Sequence, residues 1–401
     1  MRVLLKNGNL ITLESHYALD NTDLLIQDGK IKRIGKNITI QSDKIIDCTG
    51  KYLMPGLWDG HAHLLYDEFY EQYILAGVTS VRDLFGTDEE RIRDAEVRSG
   101  SRVGPYSYST SPIIDGPGLL PQAIIVKSPE EAIAALDAQI EKGYTQIKLY
   151  PSMDRETFIA LANYAKERNV KIMGHMAINL TGREQADLGY YCAEHVSVLP
   201  LDLDDVEYCA RSGMWLDVTH YVVEQCICNH FCKQVPINNA RYYDYCSKAL
   251  IEEWEEGFDL LKANPKFKTY DQELINIIER GRVFMRNSSK IISGTDSGNP
   301  GVPGGFPVHD ELVSLTEIYG MSRLEAIKAM SANCAEMVGI SDEKGMLKER
   351  MDSDIIILNK NPLEDIRNTR TIDMVIQGTK IYDRAELDKI EKKLKENSKD
   401  S

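Results

Sequence analysis

Two histidines set two apart, His61 and His63, close the stretch Met-Pro-Gly-Leu-Trp-Asp-Gly-His-Ala-His at residues 54–63. In an extended strand, residues i and i+2 point to the same face. Two imidazoles side by side at a strand end make a metal-binding pair. Four more polar residues follow at the ends of short apolar runs: Lys148 in Gln-Ile-Lys-Leu-Tyr at 146–150, His175 in Gly-His-Met at 174–176, His195 in Ala-Glu-His-Val at 193–196 and Asp296 in Gly-Thr-Asp-Ser-Gly at 294–298. Each alone has a plain structural explanation, as a core histidine, a surface lysine or a helix cap. Six in this order are hard to explain that way.

Strands must carry these groups, and the chain supplies them. Leu57–Ala62, Gly77–Arg82, Tyr106–Ser109, Thr145–Leu149, Val170–Met173, Tyr191–Val196, Met214–Thr219 and Ile291–Thr295 read as eight strands separated by helical stretches. Ser128-Pro129-Glu130-Glu131 opens one helix with a serine cap, proline at the first position and glutamate at the third. Repeated strand–helix units imply a parallel sheet, and eight of them suggest a closed (β/α)8 barrel. The alternative, an open doubly wound sheet, would carry a glycine-rich phosphate loop in its first turn, and none is present. In a barrel, strand C-termini converge on one face, and the six residues fall there in order.

The remaining segments frame this unit. Residues 1–55 and 347–385 are rich in short β-type runs and are expected to meet in one small β domain, leaving 56–346 as the barrel. Residues 220–280 are too long for an ordinary connection and rich in aromatics, which suggests a lid or pocket wall over the barrel mouth or an oligomer interface. The Lys/Glu-rich tail at 386–401 is expected to be a solvated, partly frayed end.

Composition narrows the partners. A net charge of −15 over 401 residues disfavours nucleic acid and anionic membranes. The N-terminus lacks the apolar core of a signal peptide and no run approaches a membrane span, so a cytoplasmic protein, with homo-oligomers possible, is expected. Eight cysteines are expected to be packed thiols. The cluster Cys226, Cys228 and Cys232 does not match paired zinc-knuckle spacing.

With these residues in view, the chain resembles the amidohydrolase superfamily, and within it the imidazolonepropionase- and prolidase-related branch of metal-dependent hydrolases. The resemblance rests on the Pro-Gly-Leu-Trp-Asp-Gly-His-Ala-His opening, Gly-Val-Thr-Ser-Val-Arg-Asp at 77–83, the six positions above, His-Asp-Glu-Leu at 309–312 and Asp-Ser-Asp-Ile-Ile-Ile-Leu-Asn-Lys-Asn-Pro-Leu at 352–363. It implies an α/β fold: a distorted (β/α)8 TIM-like barrel with a small β-sandwich domain built from both chain ends. It further implies two divalent metal ions. His61, His63 and Asp296 would hold one, His175 and His195 the other, and Lys148 would bridge them as a CO2-derived carbamate. Imidazole and carboxylate ligands without thiolate suit Zn2+, with Mn2+ or Co2+ compatible. Asp296 would shuttle the proton of a hydroxide between the metals to the leaving amine.

The implied reaction is hydrolysis of a C–N bond in a dipeptide or N-acyl amino acid. Two alternatives stand beside it: a cyclic-amide hydrolase, and a non-catalytic scaffold. Imidazolonepropionase works with one metal and no bridging lysine, so Lys148 favours the dipeptidase-like side. The loop Ser111-Pro-Ile-Ile-Asp-Gly-Pro-Gly118 lacks the histidine often found there in relatives. A small-molecule substrate carrying a carboxylate is expected. Arg183 is its candidate partner, because Thr181-Gly182-Arg183-Glu184 reads as a capping box following the strand that ends in His175. Tyr150, His220, Tyr221 and His309 are the other candidate substrate contacts.

Overall fold

In the strand Ile355–Leu358 every residue is buried, and alternation sends Ile355 and Ile357 into one apolar cluster and Ile356 and Leu358 into another. This strand is where two parts of the molecule share a wall. The first cluster lies on a sheet made from both ends of the chain; the second is the main core. The computed structural model describes residues 1–118, 120, 122–224, 240–262 and 270–400.

The end-built sheet has eight mixed strands. Lys380–Tyr382, Ile372–Gln377, Ile355–Leu358, Tyr52–Pro55, Arg2–Leu10, Leu19–Gln27 and Lys30–Gly35 lie in that order, and Lys44–Asp47 also pairs with Arg2–Leu10. Arg2–Leu10 is one strand with register shifts between Leu5 and Gly8 and between Gly8 and Leu10. Asp28 and Gly29 both take positive φ, 51° and 79°, which closes the tight hairpin between Leu19–Gln27 and Lys30–Gly35. Strand pairing joins all eight in one hydrogen-bonded sheet.

Between the ends lie two parallel arcs. Leu57–Ala62, Val78–Asp83 and Tyr106–Ser107 form the shorter one. The longer runs Ile124–Ile125, Ile114–Asp115, Gln146–Leu149, Lys171–Gly174, Cys192–Glu194, Trp215–Asp217 and Ile291–Ile292. The strands Ile114–Asp115 and Ile124–Ile125 were not expected from the sequence. Backbone bonds outside the named strands join the arcs at both edges. On one side Tyr108 and Thr110 donate to Val81 and Asp83, and Ser111 donates to Gln146. On the other, Gly60 donates to Ser293, Asp296 to His61 and His63 to Ser297, at 2.8–3.0 Å. Glycine makes this seam possible: a Cβ on Gly294 would sit 2.0 Å from the His61 nitrogen.

The helices follow their local signals. Ser128 caps Pro129–Glu141 by accepting from Glu131, and Asp154 caps Arg155–Glu167 by accepting from Thr157. In the long insertion, Lys248–Lys262 reaches the mouth: Glu253 accepts from Tyr66, and a Cβ on Gly257 would come 2.9 Å from Pro300. The cysteine cluster at 226–232 lies outside the described residues; Cys48, Cys192, Cys209, Cys246 and Cys334 are buried free thiols. The tail corrects the expectation of a solvated end. Arg384–Asp400 is one helix whose Leu387, Ile390 and Leu394 are buried, at the i, i+3, i+7 spacing of a single face. Among the described residues no helix is long and apolar enough to cross a membrane.

Candidate metal centre

All six sequence-chosen residues converge where the strands end. His61 is on Leu57–Ala62 and His63 one residue beyond it. Lys148 is on Gln146–Leu149, His175 follows Lys171–Gly174, and His195 follows Cys192–Glu194. Asp296 follows the last strand and is tied back by its backbone N–H to His61. The rings of His61 and His195 are 4.5 Å apart, those of His175 and His195 4.8 Å, and those of His61 and His63 5.5 Å. Lys148 Nζ lies 3.4 Å from His61 Nε2. Asp296 Oδ1 is 3.0 Å from His63 Nε2 and 3.4 Å from His61 Nε2.

Two ligand candidates sit on strained backbone. His195 has φ 78° and Asp296 φ 58°, the left-handed region that non-glycine residues rarely occupy. Such strain concentrates at functional sites, where the surrounding structure holds it in place. Thr219, itself at φ 46°, bonds His195 Nδ1 at 2.7 Å through its hydroxyl.

The donor set fits a divalent cation. His175 Nε2 and Asp296 Oδ1 are buried and make no hydrogen bond. Oδ1 lies 3.0 Å from His63 Nε2 and 3.4 Å from His61 Nε2, so the three atoms are close enough to face one cation. His61, His63 and Asp296 each offer a ligand atom within 4.8 Å of the others. Burial, helped by Lys148, lowers His61 to about 4 and His175 to about 3, so both imidazoles are neutral near pH 7. Burial also pushes the Lys148 ammonium down, toward the amine that carbamate formation requires. At Asp296 burial favours the neutral acid, but His61, His195 and His63 outweigh it and hold the carboxyl well below its usual range.

Behind this cluster lies a charged layer whose role the sequence did not suggest. Arg82 is fully buried. Its Nη1 donates to Glu194 Oε2 at 3.1 Å, to Asp217 Oδ2 at 3.4 Å and to the Gly60 carbonyl at 2.9 Å, and its Nη2 donates to Glu194 Oε1. His61, Glu194 and Asp217 also cluster closely enough to hold an ion, but the guanidinium already supplies the cation there. Burial opposes ionisation of both carboxyls; Arg82 nevertheless holds Glu194 well below its usual range, while Asp217 is pushed well above. Asp59 ties the first strand to the last by accepting from the Thr295 N–H at 2.8 Å and its hydroxyl at 2.5 Å, and burial raises it to about 7.

The candidate substrate residues divide. Tyr150 lies beside the cluster: its ring stacks on His175 at 4.1 Å. Arg183 is not brought to the cluster. The capping box at Thr181 and Glu184 forms, but Arg183 is half exposed, pairs with Asp205 at 2.7 Å and lies over the Tyr208 ring. His220 is fully buried between Tyr319 and Glu224, at 2.9 and 3.0 Å. The Tyr221 backbone donates to buried Glu311. His309 bonds Thr369 and lines a separate pocket of about 210 Å3 with Phe306 and Arg370. In the loop that lacks the expected histidine, Asp115 anchors the turn by accepting from the backbones of Gly116 and Ser152.

Comparison with known proteins settles the family. The model of the Amidohydrolase family matches residues 52–381. The chain belongs to the amidohydrolase family. This amidohydrolase is 24% identical to a D-hydantoinase of Geobacillus stearothermophilus over 90% of its own length and 84% of that enzyme's. A 64-residue stretch is 47% identical to a dihydroorotase of Bacillus cytotoxicus, covering 16% of this chain and only 14% of that enzyme. Among solved structures, bottromycin amidohydrolase superposes with a TM-score of 0.79 at 21% identity, covering 98% of this chain and 90% of that one. A Xaa-Pro dipeptidase with methionine bound in its active site superposes at 0.73 and 20% identity, covering 96% and 100%. With these likenesses, the two joined arcs are a TIM-like barrel of the amidohydrolase fold.

Proposed function

We propose that this amidohydrolase is a metal-dependent hydrolase that cleaves the C–N bond of a small amide, with a dipeptide or N-acyl amino acid as substrate. The convergence of His61, His63, Lys148, His175, His195 and Asp296 on one barrel face carries the proposal. His61, His63 and Asp296 would hold one divalent ion, His175 and His195 a second, and Lys148 would serve both as a carbamate. Bound there, zinc or a similar ion supplies Lewis acidity toward the scissile carbonyl and activates water.

The chain's own residues do the rest. Asp296 is ionised and 11% exposed at its side chain, so it accepts a proton from attacking water and returns it to the leaving amine. Tyr150, stacked on His175, forms one wall of the reaction site. The helix Lys248–Lys262 covers part of the mouth through Tyr66 and Pro300, in keeping with a lid. A substrate carboxylate remains part of this reading, but its partner is not Arg183, which Asp205 already engages.

A cyclic amide is the second reading, favoured by the likeness to D-hydantoinase and dihydroorotase. One experiment separates them. Zinc-loaded full-length protein is offered dipeptides, N-acyl amino acids, hydantoins and dihydropyrimidines, and product amine or ring opening is followed. Turnover of the linear amides supports the first reading. Ring opening alone replaces it with the second, and turnover of neither class by protein holding two metals overturns both.

A further inference from the structure

The fully buried Arg82 is an expensive residue for a barrel interior. Removing a guanidinium from water costs several kcal/mol even after relaxation, and is tolerated only where its hydrogen bonds are satisfied. Arg82 spends its donors on Glu194, Asp217, the Gly60 carbonyl, Gln146 and Met173. All five partners lie on other strands, so the arginine reaches across the barrel. The proposed metal reading uses none of these contacts directly.

Their common neighbour is His61. Its Nδ1 is 3.2 Å from Glu194 Oε2 and 3.3 Å from Asp217 Oδ2, while its Nε2 faces Lys148 and Asp296 at 3.4 Å. A neutral imidazole carries one proton, and which nitrogen bears it follows from the partner each nitrogen meets. Nδ1 meets two carboxyl groups, both bonded by the guanidinium and Glu194 through both its oxygens. Nε2 meets the side where the other candidate ligands converge.

We infer that Arg82 and Glu194 are positioning residues: the arginine fixes the Glu194 carboxylate against His61 Nδ1–H, which keeps the Nε2 lone pair bare and aimed at the metal. Asp217 backs the same contact from the neighbouring strand. The pair acts on one candidate ligand, His61, and through it would act on the metal that His63 and Asp296 would also hold. A metal-bound imidazole whose other nitrogen donates to a carboxylate is also a more basic ligand. This explains why so costly a charge pair sits one layer beneath the site rather than at the surface. The inference rests on the metal reading for its consequence, but not for the protonation state of His61.

The test therefore has two readouts. Nitrogen-15 spectra of the metal-free full-length chain, with His61 assigned by the loss of its signals in His61→Asn, report the tautomer directly. The expected result is a protonated Nδ1 and a bare Nε2 near pH 7.5. A protonated Nε2 overturns the inference, whatever any variant does. The second readout is zinc affinity by competition with a chelator. Glu194→Gln removes the charge and places an amide N–H2 where only acceptors fit. It is expected to weaken zinc binding about 10–100-fold and to raise the share of the Nε2–H tautomer. A role in stability alone would lower the melting temperature without moving the tautomer, and unchanged affinity and tautomer in the folded variant would overturn the inference. If Glu194→Gln does not fold, the wild-type tautomer decides. If wild-type protein binds no zinc, the metal reading fails while the tautomer measurement still judges the positioning of His61.

Discussion

Lys148 Nζ sits 3.4 Å from His61 Nε2, with both side chains sealed from solvent. An ammonium cannot ligate a cation, and burial favours its neutral amine. The pair therefore makes sense if Lys148 becomes an anion beside a metal. Lys148→Ala should lose bound zinc, measured by elemental analysis after dialysis. Acetate or propionate in the buffer should restore part of it by replacing the missing carboxylate. Full metal occupancy in the variant without added carboxylate would remove Lys148 from the ligand set.

Asp296→Asn probes the proton. Asparagine keeps an oxygen at the cluster and cannot accept a proton. Turnover of a verified substrate should fall about 10²–10⁴-fold, the usual worth of a placed acid–base group, with metal content and circular dichroism near wild type. A metal-replete variant that turns over at the wild-type rate would assign proton transfer elsewhere.

The six clustered residues were legible because each is a polar group ending an apolar run, a break that chain order alone reveals. Arg82, Asp217 and Asp59 carried the opposite signal. A charge within a strand reads as its solvent-facing side, and nothing local shows that Arg82 meets Glu194 and Asp217 across the barrel. Ile114–Asp115 and Ile124–Ile125 are two residues each, too short for any periodicity. Arg183 failed as a substrate contact because its partner, Asp205, comes from the next helix, Leu203–Arg211. His220 and His309 were chosen by residue type, and their buried partners Tyr319 and Thr369 lie 60 or more residues away. In the tail, the spacing of Ile390 and Leu394 indicated a short helix, but dense Lys and Glu gave no sign that this face is buried.

That tail makes its own prediction. Leu394 is 3% exposed, and Lys393 next to it pairs with Glu71 at 2.7 Å on Asp67–Leu75, the helix that follows His63. Glu391 accepts from Tyr245 in the insertion. The helix thus clamps two segments near the mouth. Leu394→Ala should cost about 2–5 kcal/mol, the range for truncating a buried leucine, read as a lower denaturation midpoint in urea. A loss under ~0.5 kcal/mol, typical of exposed positions, would return the tail to solvent.

Acid should destabilise the metal-free protein through its buried histidines. His175 is lowered from 6.5 to about 3 and His61 to about 4, by burial first and Lys148 second. Between the folded and unfolded values the unfolded chain binds more protons, so stability rises with pH across that window and falls on acidification. Each group adds a slope of at most ~1.4 kcal/mol per pH unit. Asp59 and Glu90, both raised to about 7 with burial the leading cause, act in the opposite direction over much of the same range. Glu184, lowered to about 2 by Arg155, contributes stability that is lost only below its unfolded value of 4.5. A comparison with His175→Asn between pH 4.8 and 6.5 cancels the carboxyl terms and isolates one histidine. Melting temperature should fall more steeply with acid in wild type than in the variant, and the two curves should converge as pH drops. Parallel curves across that window would mean that His175 titrates alike in the folded and unfolded chain, and that the cluster does not hold it as a neutral ligand.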